Sequence, residues 1–327
     1  MTTPNLFQFA SSELSQDAFI SWLLSWAQPK MEKENASLHE TGRDLIRALL
    51  EKHDRSAEDP PALSEVHQQH KRADVVAVLE GDMALLIEDK VGASAHSEQL
   101  DRYRSALEEE FSEVLPIFFK TGDQSDYQHA RENGYEPFLR KDFLTVLRRG
   151  DERGVESDIF QDYREHLETI EKKVRSFETV PVGEWPRAAW KGFYQVLQDQ
   201  LGEGSWSHVP NQSGGFMAFY WHSFSGDGCK QYLVLEEEKP CFKIEVEDEN
   251  RYKPLRETWH GRVVEASKES PAEARKPDRF GYGEHMTVAV LSGGYLETDE
   301  EDLVDIEETL TRLREAEDIL SRAVAEN

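Results

Sequence analysis

The sequence predicts an α/β domain built on a mixed sheet flanked by helices, followed by a C-terminal α+β domain. Three observations carry this. Residues 72–90, RADVVAVLEGDMALLIEDK, hold two apolar runs around Glu80, Gly81 and Asp82, which is a β-hairpin with a short glycine-containing loop. The helical pattern EQLDRYRSALEEEF then separates the second of these strands from another apolar run, VLPIFFKT. A helical crossover of that kind makes the two strands it joins parallel. In the second half GFMAFYWHSF, QYLVLEEE and PCFKIEVED follow one another across turn residues, as in an antiparallel meander.

Taken in order, residues 12–28 (SELSQDAFISWLLSWAQ) form a helix closed by Pro29. It is apolar around most of its circumference, except for one line of Glu13, Asp17, Ser21 and Ser25. That line suits either water or a polar site. A charged insert from Pro29 to Ser37 leads to a second helix, LHETGRDLIRALLEKH, with Leu45, Ile46, Leu49 and Leu50 as its core stripe. His39 near its start suits a cap or a surface position, with approach to phosphate as the alternative. LSEVHQQHKR alternates as a polar edge strand, and period two puts His67 and His70 on opposite faces, a poor metal pair. After the hairpin, VGASAHS offers Ser94 or Ser97 as a helix cap, and Gln99 and Tyr103 lie one turn apart on the helix that follows. Beyond VLPIFFKT come helices at DYQHARENG and KDFLTVLRR and a long amphipathic helix over 157–176.

The turn-rich joint FETVPVGEWPRAAW divides the chain into domains 1–180 and 181–327. The second domain opens with the helix RAAWKGFYQVLQDQL, ended by Gly202 and Gly204. After the meander come a helix at LRETWHGRVVEAS, the strand HMTVAVLSGGYL and a long acidic C-terminal helix. Phe219, Tyr220, Trp221 and Phe224 suit core filling, with base stacking as the alternative.

No stretch approaches 18 consecutive apolar residues and the N-terminus lacks the regions of a signal peptide, so the expectation is a soluble cytoplasmic protein with no membrane partner. Cys229 and Cys241 have no metal-ligand spacing and are expected to be reduced and structural. The formal charge of -27 opposes polyanion binding. Either the acids are spread over a solvated surface while a local basic groove binds, or the substrate is not a long polyanion. Residues 140–149 and 251–279 carry a modest cationic excess, read as solvated surface. There is no P-loop, dinucleotide fingerprint, nucleophile elbow or internal repeat.

The chemistry gathers on the hairpin. With Glu80, Gly81 and Asp82 as the loop, Leu79 faces Met83, and counting outwards sets Asp74 opposite Glu88, about 5 Å apart on one sheet face. Lys90 shares that face with Glu88. Two carboxylates this close repel unless a cation sits between them, and oxygen donors completed by water suit Mg²⁺. Such an ion activates water and polarises phosphoryl oxygens, while a lysine stabilises charge developing on phosphate. This outlines a phosphodiesterase site; the plain alternative is a solvated polar cap at strand ends.

Asp74 followed by Glu88-Asp89-Lys90 resembles the D…(D/E)xK signature of the PD-(D/E)xK nuclease superfamily, with Ala73 in place of the usual Pro. The pattern of ELSQDAF and WLLSWA is similar to a prokaryotic branch of it. The resemblance covers residues 10–150 and implies a restriction-endonuclease-like core, αβββαβ. It implies Mg²⁺ or Mn²⁺ held by Asp74, Glu88 and the Asp89 carbonyl, with Glu13 of the first helix as a further ligand and Asp17 as its alternate. Lys90 would hold the attacking water or the scissile phosphate, and Gln99 would contact phosphate or orient the lysine. The implied reaction is hydrolysis of nucleic acid, DNA foremost, to 5′-phosphate and 3′-hydroxyl ends, in restriction, repair or phage defence. The C-terminal domain would serve targeting or self-association, with a homo-oligomer as a possible partner arrangement. Two alternatives stay open: a catalytically silent scaffold binding nucleic acid or protein, and a metal phosphodiesterase acting on small nucleotides.

Overall fold

The structure, a computed structural model, describes residues 4–55, 58–92, 97–212 and 214–325, without the side chains of 97 and 98. Contacts divide it into two compact units, Met1–Glu171 and Lys172–Asn327. In the first unit helices α1 (Glu13–Trp26) and α2 (Ala36–Glu51) precede strands β1 (Leu63–His70), β2 (Ala73–Leu79) and β3 (Met83–Lys90). Helix α3 (Ser97–Glu108), β4 (Glu113–Lys120), α4 (Gln128–Glu132), β5 (Glu136–Leu139), α5 (Arg140–Glu152) and α6 (Asp158–Val174) follow. The strands lie in the order β1-β2-β3-β4-β5. The first three are antiparallel, and β4 and β5 run parallel to β3 and β4 respectively, so the sheet is mixed. This is the restriction-endonuclease-like core, with one strand more than the sequence shows. The addition is β5, to which the sequence reading gave no element: it is four residues long, contains Pro137 and lies at the edge of the sheet.

Period two sorts the central strands onto two cores. Val75, Ala77, Leu85 and Ile87 pack with residues of α1, α2, α5 and α6. Val76, Ala84, Leu86 and Phe118 pack with Leu100, Tyr103 and Leu107 of α3. Leu79 pairs with Met83 as the loop length requires, with Gly81 and Asp82 at positive φ in the turn. Tyr103 is a packing residue, 7 % exposed. His39 is a buried histidine whose Nδ1 sits 2.9 Å from the Trp26 carbonyl, which removes it from any phosphate. The cap assigned to Ser94 or Ser97 falls outside the described residues and side chains.

Gly42 on α2 sets the spacing of α1 and α2. A Cβ there would stand 2.7 Å from the Leu23 carbonyl and 2.8 Å from the Ala27 nitrogen, both backbone atoms of the facing helix region. Gly42→Ala is therefore expected to force the helices apart at a cost of about 1–3 kcal/mol. A melting temperature lowered by several degrees in thermal unfolding checks this; no change would show that the helices part freely.

Arg140, placed by sequence on a solvated basic surface, is instead 3 % exposed. Its guanidinium donates to both Asp123 carboxylate oxygens (2.8 and 2.9 Å), to the Thr121 carbonyl (2.6 Å) and to Glu171 (2.9 Å). A planar fork with five donors fits so many acceptors where a lysine would not.

The second unit holds α7 (Arg187–Leu201), β6 (Ser205–Val209), β7 (Phe216–Gly226), β8 (Cys229–Glu236), β9 (Lys239–Glu245), α8 (Tyr252–Ser267), β10 (Ala274–Arg275), β11 (His285–Leu291) and α9 (Ile306–Ala325). Its antiparallel sheet runs β10-β11-β9-β8-β7-β6, making this an α+β unit with two more strands than expected. Both additions, β6 and β10, are short edges with little apolar patterning. Phe219 and Trp221 fill the core beneath α7 and α9, as their alternation suggests. Cys229 and Cys241 are free and buried.

Candidate active site

Asp74 continues the β2–β3 register one step beyond the Val75–Ile87 pair, which sets it opposite Glu88. It lies on the face of Val76, and Glu88 and Lys90 lie on the face of Leu86, so all three point toward α3. The Lys90 ammonium joins them. It donates to Glu88 Oε1 at 2.7 Å, to the Asp89 carbonyl at 2.7 Å and to Asp74 Oδ2 at 3.4 Å. Asp74 Oδ2 also accepts from the Asp89 backbone N–H at 2.9 Å, which locks the carboxylate against β3. From α3, Gln99 Nε2 donates to Glu88 Oε1 at 2.9 Å. Thus the structure brings Asp74, Glu88, Lys90 and Gln99 to one point at the end of the hairpin.

Glu88 is fully buried, and its second oxygen, Oε2, has no hydrogen-bond partner. Burial, and then the Asp74 charge, push its carboxyl up to about 7 from an ordinary value of 4.5. Lys90 is also shifted upward, which here favours the charged form. Burial disfavours its charge, but its bond to Glu88 and the surrounding carboxylates outweigh that and raise its pKa. It is therefore a fixed cation and a donor, not a proton acceptor. The Glu88 and Asp74 carboxylates and the Asp89 carbonyl, already gathered round one cationic group, form a donor set that fits a hard divalent ion, and the unpartnered Glu88 Oε2 adds a free donor to it.

The other face of β3 carries Asp89, whose side chain points to α1. Gln16 donates to it, and Gln16 Oε1 in turn accepts from Thr121 (2.7 Å) and Tyr163 (3.0 Å). Asp17 lies beside it, 4 % exposed. Burial, and then Asp74, raise Asp17 to about 6, while burial and Asp17 raise Asp89. Asp17 Oδ1 and Asp89 Oδ2 both lack partners, and a proton shared across the pair satisfies them. The polar line on α1 thus faces the interior, not water. Glu13 closes that line: its Oε1 accepts from the Val91 N–H at 3.1 Å, just past Lys90. No third carboxylate joins Asp74 and Glu88 within 4.8 Å among the described residues; such groupings occur only in the second unit.

Two features escaped the sequence. Lys120 is 1 % exposed and pairs in register with Lys90 on the same sheet face, a second lysine beside the site. Its signal was the same as that of Lys90, a lysine closing a buried strand. The β1–β2 connection is a two-residue turn, Lys71 and Arg72, both at positive φ as a type I′ hairpin requires. Gln69 is also left-handed (φ 55°), and its Nε2 lies 3.3 Å from Asp74 Oδ1. That kink breaks period two, so the His67 and His70 rings come within 5.3 Å instead of falling on opposite faces. Each ring meets a different acid, Glu65 and Glu110.

Gln99→Ala is expected to loosen the orientation of Glu88 and to lower divalent-ion affinity about 10–100-fold, as loss of a ligand-orienting partner does. Calorimetric titration with Mn²⁺ checks this; unchanged affinity would make Gln99 a bystander.

A family model described as the PD-(D/E)XK nuclease superfamily matches residues 4–180, more than half of the 327-residue chain. The chain belongs to that superfamily, and its function is of the nuclease type. No curated protein and no solved structure gives a match. Among the described residues no helix is long and apolar enough to cross a membrane.

Proposed function

We propose that the protein is a Mg²⁺- or Mn²⁺-dependent nuclease that hydrolyses phosphodiester bonds of nucleic acid, DNA foremost, in phage defence, restriction or repair. The observation that supports this most is the Lys90 ammonium held by Glu88, the Asp89 carbonyl and Asp74, because those three oxygens form a cation-binding set. Asp74, Glu88 and the Asp89 carbonyl would hold the ion, with Glu13 acting through water. The ion would supply a water of lowered pKa and charge neutralisation at phosphate. Lys90, permanently charged, binds the scissile phosphate and stabilises the charge that grows on it. Gln99 fixes the Glu88 carboxylate, and burial of Glu88 excludes competing water. The Asp17–Asp89 pair anchors β3 to α1 without taking part in proton transfer to substrate. The second unit serves targeting or self-association.

The test is incubation with supercoiled, linear and single-stranded DNA and with RNA, in Mg²⁺ or Mn²⁺, comparing wild type with Glu88→Ala and Lys90→Ala. Cleavage that survives both substitutions overturns the assignment. Absence of cleavage with retained nucleic-acid binding favours the silent scaffold. Hydrolysis confined to mono- or dinucleotides favours a small-nucleotide phosphodiesterase, which the net charge of -27 would suit.

A further inference from the structure

We propose that the second unit carries a transition-metal site of its own, of the Zn²⁺ class, formed by Glu203, His222 and Glu317. The three residues come from places far apart in the chain: the loop after α7, the middle of β7 and the face of α9. One donor atom from each lies within 4.8 Å of the others, and Glu203 Oε1 is 3.6 Å from His222 Nδ1. Donors bound to one Zn²⁺ at about 2.0–2.1 Å and tetrahedral angles stand about 3.3–3.4 Å apart, so the set closes with small side-chain shifts.

Groups outside the trio already orient it. His222 Nε2 lies 2.8 Å from Ser321 Oγ, which occupies that nitrogen and leaves Nδ1 for the ion. The Trp221 indole N–H donates to Glu317 Oε1 at 2.8 Å. Metal-bound imidazoles and carboxylates have such outer partners, which fix the tautomer and the ligand geometry. The pairing of β7 with β8 slips between Trp221 and Phe224, and His222 at φ 50° is turned out of the ladder toward α9. Bulges re-aim side chains in this way beside functional sites. Glu203 and His222 also line an open depression of about 440 Å³, which leaves room for water or a small anion as fourth ligand.

One imidazole and two carboxylates with an open position is an ordinary Zn²⁺ donor set, whereas Mg²⁺ prefers oxygen alone. The site is therefore separable by metal from the Asp74–Glu88 pair. A second group, Glu245, Glu284 and His285, adds nothing, because Glu245 and His285 are cross-strand partners whose closeness follows from register.

The experiment is Zn²⁺ titration of the chelator-treated full chain by calorimetry, with Co²⁺ absorption as a coordination probe. Glu88→Gln serves as background to remove uptake at the hairpin. One tight Zn²⁺ per chain is expected in that background, with visible Co²⁺ bands of a four-coordinate N/O site. His222→Ala should abolish both signals. Glu317→Gln, which can still accept from Trp221, should weaken binding at least tenfold without changing the metal-free melting temperature. Ser321→Ala should weaken it about 10–100-fold. No uptake in the Glu88→Gln background, or uptake that Glu317→Gln and His222→Ala leave unchanged, overturns the proposal and makes the trio an ion pair of His222 with two acids.

Discussion

Lys90→Ala is expected to reduce cleavage about 10³-fold while leaving divalent-ion binding intact or tighter, because one catalytic donor aimed at developing charge is worth that much. The ammonium contacts the same oxygens that would receive the ion, so in the metal-free protein it competes with that ion for Glu88 and the Asp89 carbonyl. Removing it frees the ligands and loses only the chemistry. Glu88→Ala differs in kind, since it would remove a proposed ligand and should lose both binding and turnover. Single-turnover cleavage and Mn²⁺ titration on the two variants separate these roles. A Lys90→Ala protein that cleaves normally, or a Glu88→Ala protein that binds Mn²⁺ like wild type, would dismantle the assignment.

The second large effect is one of pH. Glu88 has its pKa raised to about 7 from 4.5. A group with a raised folded-state value contributes stability that is fully present below its unfolded value and lost as pH rises through the folded one. In the metal-free protein that loss falls between about pH 4.5 and 7 and is worth roughly 3 kcal/mol. Ion binding needs the carboxylate, so Mn²⁺ affinity should climb up to about tenfold per pH unit below pH 7 and level off above it. Stabilisation by fixed Mn²⁺ should therefore be small at pH 6 and large at pH 8. Glu88→Gln removes the group: its metal-free form should melt higher than wild type at pH 8, and the hairpin-dependent part of the Mn²⁺ response should be lost. Melting curves from pH 5 to 8.5 with and without Mn²⁺ decide this, and the difference between wild type and variant cancels the contributions of Asp17 and Asp89. Parallel wild-type and Glu88→Gln profiles would rule the account out.

Much of this geometry was legible because it depends on local rules. A three-residue loop fixes the register of a hairpin, register fixes which residues oppose, and period two fixes the shared face of Glu88 and Lys90. Gln99 came from the family resemblance, since helical spacing alone only sets it one turn from Tyr103. What was not legible depends on tertiary packing or on strain. The inward turn of Glu13 and Asp17 is decided by how α1 docks on the sheet, which no periodicity records when most of a helix is apolar. The approach of His67 to His70 required a left-handed Gln69, which its residue type does not announce. The short strand β5 lacked an apolar run, and Arg140 looked like any basic surface residue until its four acceptors were in place.

The burial of Arg140 sets how far the first unit must extend along the chain. Its charge is balanced on one side by Asp123 and on the other by Glu171, near the end of α6. A fragment that stopped short of Glu171 would keep every strand of the sheet yet leave the buried Arg140 guanidinium with Asp123 as its one carboxylate partner and its Nε–H without an acceptor, a loss of about 1.5–3 kcal/mol. Full pairing of this buried cation thus reaches some eighty residues past Lys90, to the last helix of the first unit.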